Sequence, residues 1–287
     1  MATVAQQTTS VASTQRRDPA AGAVFIETLR RDWRQPLYWG GGLALMGLML
    51  MLTATQTDFL EEYRGLTEAF PQLLEAFVGA DASFLATVEG YLSIEYFSWI
   101  TLLYALVAVL FGVNVIANEE ALGSIEILLT QPLPRWRMVL EKSAAYTLLV
   151  VAIGLIAYAG LLLGDVSAQV LTVDAWLFFV AATAVIPFTL MMMGITILLS
   201  AILRRRALVG QISALIVAAG FVASLLNNLA SDVALVQAVA SLSPFTYYDP
   251  AAIMQQGVTW GALAVMFGVF IVCVAAAAAL FQRRDVA

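Results

Sequence analysis

Histidine is absent from this 287-residue chain, cysteine occurs once, as Cys273, and lysine once, as Lys142. Without histidine, neither a Ser-His-Asp nor a Cys-His arrangement can be assembled, which removes the common nucleophilic hydrolases. The long apolar stretches hold no acidic pair in their interiors, so an intramembrane aspartyl mechanism is missing too. A single cysteine allows neither an intrachain disulfide nor a thiol-based metal site. The lone lysine follows Glu141 and stands in no Gly-x-x-x-x-Gly-Lys-Ser/Thr pattern, so a nucleotide-phosphate loop is not encoded here.

What is present is apolar. Hydrophobic residues make up 61% of the chain, charged residues 12%, and the mean hydropathy is +0.88, which places the chain in a bilayer. Six windows, 37–55, 97–116, 143–163, 175–203, 207–226 and 260–281, each supply the ~20 apolar residues that span a hydrocarbon core. Residues 1–21 are polar, small and aperiodic. They are expected to be a disordered cytosolic tail without a cleavable signal, leaving the first span as the insertion signal.

Orientation follows from the basic residues. Arg16, Arg17, Arg30, Arg31 and Arg34 precede the first window, Arg135, Arg137 and Lys142 lie between the second and third, and Arg204, Arg205 and Arg206 between the fourth and fifth. Arg283 and Arg284 follow the sixth, which leaves Arg64 alone on the other side. The positive-inside rule then predicts both termini in the cytoplasm of a cell membrane. The formal charge of −6 comes largely from the opposite side, where Asp58, Glu61, Glu62, Glu68, Glu75, Asp81, Glu89 and Glu95 cluster. Eight acids over nearly forty residues read as a solvated surface; no metal site and no nucleic-acid partner is expected.

Residues 22–35 read as an interfacial helix, with Phe25, Leu29 and Trp33 on one stripe and Arg30, Arg31 and Arg34 toward lipid headgroups. Gly40, Gly41, Gly42 and Gly47 mark a possible helix contact in the first span. Residues 56–94 are expected to form an extracellular cap, with helical stretches at 59–69 and 72–78 separated at Pro71. Pro187 should kink the long fourth span. Arg204, Arg205 and Arg206 form a turn that meets inner-leaflet phosphates or a partner protein. Residues 227–257, broken at Ser243-Pro244-Phe245, Asp249-Pro250 and Gly257, are too interrupted to cross the membrane.

The most informative stretch is 118–137, between the second and third spans. Leu122, Ile125 and Leu129 share a helical stripe, Glu119, Gly123 and Glu126 another, and Pro132 and Pro134 stop the helix. Its residues Glu120, Gly123, Ser124, Ile125, Glu126, Leu128, Leu129, Pro132 and Arg135, with Lys142 just beyond it, match a pattern that resembles the cytosolic coupling segment of type 2 ATP-binding-cassette (ABC) permeases, the exporter-type family. Ser124 departs from the threonine frequent there. Ser243-Pro244-Phe245 resembles the same family's outer re-entrant hairpin, and the Phe-Pro-x-x-Leu and Gly90-Tyr91-Leu92 elements resemble a bacterial branch of it.

The resemblance implies an all-α integral membrane permease covering 22–287: six transmembrane helices, an interfacial helix, a coupling helix and a re-entrant hairpin over 227–257. It implies a second permease subunit, identical or different, in a bacterial or archaeal cell membrane. It also implies a cytosolic ATP-binding subunit that holds the ATP and magnesium; this chain carries no cofactor and no catalytic residue. The subunit's cleft would receive Leu122, Gly123, Ile125, Leu128, Leu129 and Pro132, with Glu119, Glu120, Glu126 and Arg135 meeting its charges. A lipophilic or amphipathic substrate, whether drug, lipid or peptide, fits an apolar path whose residues the sequence does not assign. An ion-coupled carrier, a channel or a non-transporting scaffold is the alternative. Ion coupling lacks its usual sign, since no span core holds an Asp, Glu, Lys, Arg or His.

Overall fold

The computed structural model describes residues 22–71, 80–121, 134–169, 171–172, 174–203, 205–229 and 233–283. Among them the regular elements are all helical. In order they are α1 (Ala23–Asp32), α2 (Gln35–Thr53), α3 (Thr57–Ala69), α4 (Ala82–Leu85) and α5 (Val88–Leu92). A π-helical turn, Ser93–Ser98, joins α5 to α6 (Trp99–Val115), followed by α7 (Ala117–Ala121) and α8 (Arg135–Ala168). Then come α9 (Ala175–Thr183), α10 (Val185–Ile202), α11 (Arg206–Leu229) and α12 (Ala234–Ser241). A 3-10 turn at Pro244–Tyr247, α13 (Pro250–Gln256) and α14 (Trp260–Arg283) close the chain.

Six stretches among the described residues are long and apolar enough to cross a membrane: Gln35–Thr53, Val88–Val115, Arg135–Ala168, Ala175–Ile202, Arg206–Leu229 and Trp260–Arg283. They contain the six windows to within a few residues at the ends, and two begin well ahead of the apolar run. The helix through the third window starts at Arg135, because Pro134 is the last extended residue and nothing after it breaks the helix. The second starts at Val88, so the acidic stretch leads into it without a boundary. The fourth is interrupted at Ala184. Pro187 has no N–H to offer the Thr183 carbonyl, and the Thr183 hydroxyl turns back onto the carbonyl of Phe179 at 2.8 Å.

Two packings organise the bundle. α2 lies along α8, and α10 sits centrally against α6 and α14. Hydrophobic driving force is weak between helices in lipid, so close approach at small residues carries the contact. A Cβ on Gly160 would collide with the Ala44 backbone, one on Gly164 with Met51, and ones on Gly40 and Gly47 with Ile156 and Leu161. Gly41 and Gly42 face open space, so half of the glycine cluster makes the interface. In the second packing, Gly112 admits Thr196 and Gly194 admits the Phe270 backbone.

At the acidic end, Glu89 departs from the solvated role expected of it. It is 5% exposed, and its Oε1 accepts from the Thr172 amide at 2.7 Å and the Thr172 hydroxyl at 2.8 Å. That contact ties the start of α5 to the connection between α8 and α9. The Ser-Pro-Phe motif is also explained by packing. The Ser243 hydroxyl donates to the Gly220 carbonyl at 2.8 Å and accepts from the Phe245 amide at 3.2 Å, while Phe245 is buried between Phe188 and Phe221. Residues 233–257 therefore form a short helix, a 3-10 turn and a second short helix fastened to α11 and α10.

Candidate functional site

The opposite, basic end gathers charged residues from three helices, α1, α7 and α8. α1 begins after Gly22, whose φ of 88° is in the left-handed region open to glycine, and no local side chain caps it. Glu141 of α8 supplies the cap from 119 positions away in sequence. Its Oε1 accepts from Gly22 N at 3.0 Å, and its Oε2 accepts from Val24 N at 3.0 Å and Phe25 N at 3.2 Å. Arg137, one turn earlier on α8, donates to the same Oε1 at 2.7 Å. The carboxylate thus satisfies first-turn amides and meets the positive end of the helix dipole.

Lys142, next on α8, reaches the other way. Its Nζ donates to Glu119 Oε1 of α7 at 2.7 Å and to the Asn114 carbonyl at 3.2 Å. Arg31 of α1 donates to the same Glu119 oxygen at 3.0 Å and lies 3.6 Å from Asp32. The Tyr146 hydroxyl, one turn beyond Lys142, donates to Asp32 at 2.8 Å. Burial alone would raise the Glu119 carboxyl, but the hydrogen bonds and charges of Lys142 and Arg31 hold it below the ordinary carboxylate value. Burial likewise opposes the charge on Arg31, and its bond to Glu119 with the Asp32 charge raises it above the ordinary guanidinium value.

The result is a clasp. α7 ends just before residue 122 and α8 begins just after residue 134, so the clasp fastens both flanks of the 122–133 stretch to each other and to α1. Leu122, Gly123, Ile125, Glu126, Leu128, Leu129 and Pro132, expected at a partner interface, lie outside the described residues, as do the 1–21 tail, 72–79 and Arg204. Of the remaining interface candidates, Glu120 and Arg135 are partly exposed at the clasp's edge. Glu119 is corrected: at 3% exposure its carboxylate is engaged inside the chain, because Lys142 and Arg31 converge on it.

Of the residues expected at the membrane surface, Arg30, Trp33, Arg34, Arg205 and Arg206 are exposed, and the Arg34 guanidinium stands over the Trp33 ring at 5.5 Å. Arg31 is exposed too, while its guanidinium reaches Glu119. Reasoning from the sequence missed Glu141, Asp32 and Tyr146. One signal was there: the only lysine of the chain sits beside a glutamate at the edge of an apolar run, where an unpaired charge is costly. Among the described residues no three or more acidic or cysteine side chains are placed to hold a metal ion.

Six apolar helices with charges confined to their ends define a multi-pass membrane protein. The sequence profile of the ABC-2 family transporter proteins matches residues 25–286, from α1 through α14, and the chain belongs to that family. No curated protein matches it.

Proposed function

We propose that the chain is the membrane-spanning permease subunit of an ABC exporter, working beside a second permease subunit and driven by ATP hydrolysis on a separate cytosolic subunit. The basic end faces the cytoplasm of a bacterial or archaeal cell, with both termini there, and residues 227–257 dip into the outer leaflet. The substrate is lipophilic or amphipathic. Residues 118–137 form the coupling segment, and Glu120, Leu122, Gly123, Ile125, Glu126, Leu128, Leu129, Pro132 and Arg135 meet the ATP-binding subunit.

The observation that carries this reading is the clasp. A movement imposed on residues 122–133 is delivered to α7 and α8 directly and to α1 through Glu119, Lys142, Arg31 and Glu141. A rigid junction of this kind is what a two-state rearrangement of the spans requires of its point of attachment. Crosslinking tests it: Leu122→Cys or Ile125→Cys, in a Cys273→Ala background in native membranes, should form an adduct with an ATP-binding subunit whose yield changes with ATP. Labelling by lipid-phase probes alone would make the segment an interfacial helix and remove the proposal. Gly123→Leu should abolish coupled ATPase activity while membrane insertion is retained.

A further inference from the structure

At the acidic end, α6, α11 and the 243–257 connection enclose a groove of about 360 Å³, within the ~300–1,000 Å³ of small-molecule sites. Its walls grade from apolar to polar. On α11, Phe221, Ser224, Leu225 and Asn228 share one helical face, running from ring to amide as the helix ends. Opposite them, α6 contributes Trp99 and Leu102, and the π-helical turn, a distortion frequent at functional sites, contributes Ser98.

The lining contains one charged residue, Asp249, and no basic one. Asp249 Oδ1 accepts from the amides of Ala251 and Ala252 at 3.0 and 3.1 Å, which caps α13. Its side chain nevertheless stays exposed, and among the described residues no cation pairs with it. Beside it, Tyr248 and Thr101 line the groove as well, and Tyr248 is 4% exposed.

We propose that this groove binds lipophilic cations, with Asp249 as their counter-charge. A carboxylate between low-dielectric walls attracts a cation more strongly than it would in water. The faces of Trp99 and Phe221 add cation–π attraction, and the apolar stretch of the groove takes the hydrophobic body. An anion of the same shape would meet Asp249 with no basic residue to compensate. The substrate role of this site rests on the permease reading; binding is a property of the chain alone.

The test is equilibrium binding of tetraphenylphosphonium, and of its near-isosteric anion tetraphenylborate, to the full chain in phosphatidylcholine nanodiscs, with empty nanodiscs subtracted. The wild type should bind the cation saturably and the anion only as the lipid does. Asp249→Asn keeps a good capping residue while removing the charge, and Asn227→Lys adds an opposing charge without touching the cap. Each should weaken cation binding about tenfold or more. Unsaturable cation uptake by the wild type, or affinity within about twofold of wild type in both variants, would overturn the site. ATP-driven transport is read separately: saturable, Asp249-dependent binding without transport would support this site and count against the permease reading.

Discussion

Lys142 Nζ lies 2.7 Å from Glu119 Oε1, and both side chains are only 4% exposed, so a buried ion pair joins the two stems of the 122–133 stretch. Removing Glu119 leaves the Lys142 charge buried and without a carboxylate, whereas replacing both with apolar residues does not. Glu119→Leu should therefore lower stability by about 3–5 kcal/mol, and the double variant Glu119→Leu/Lys142→Met should recover most of it. Thermal unfolding in detergent, followed by circular dichroism, checks this. Equal losses in the single and double variants would mean that the pair is not coupled.

Glu119 also sets an acid limit. Its carboxyl is held below the ordinary value in the folded protein, so the unfolded chain binds the proton more readily. The stabilisation is full above the ordinary glutamate value of about 4.3 and disappears as pH falls through the lower folded-state value. Melting temperature measured from neutral pH downward should fall more steeply in the wild type than in Glu119→Gln, and parallel curves would refute the linkage.

Glu141 caps α1 from a distant helix, so its loss should be local. Glu141→Ala should cost about 0.5–2 kcal/mol, the range for a helix cap, and Glu141→Gln less, because the amide oxygen still accepts. Amide hydrogen exchange should speed up at Val24 and Phe25 while the middle of α8 stays protected. Unchanged exchange in α1 would mean that the cap does not stabilise it.

Gly160 fixes the separation of α2 and α8. Gly160→Val drives a side chain into the Ala44 backbone, which cannot yield as a flexible side chain would. A loss of at least about 1–3 kcal/mol is expected, with little change for Gly41→Val, whose position is open. Comparing the melting temperatures of the two variants decides it.

The sequence by itself determined the spans and their interruptions. Six apolar runs of membrane length, the break before Pro187 and the halt at Ser243-Pro244 are local consequences of hydropathy and of proline's missing donor, and each is found near its place. It also gathered the basic residues between particular spans. Partners were what it could not choose. Nothing within a few residues of Glu141 marks it as the cap of α1, and nothing near Glu89 points to Thr172. Composition makes an acidic cluster look solvated until one member is enclosed. Charge counting placed Arg31 at the lipid surface and the family resemblance placed Glu119 at a partner's cleft, yet the packing of α1 against α8 brings Arg31, still half exposed, and Lys142 together on the Glu119 carboxylate. Hydropathy and helix breaking act over one or two turns and can be read in order along the chain. A buried charge, by contrast, must be neutralised by whatever the tertiary structure places within about 3 Å of it, and only the tertiary structure decides what that is.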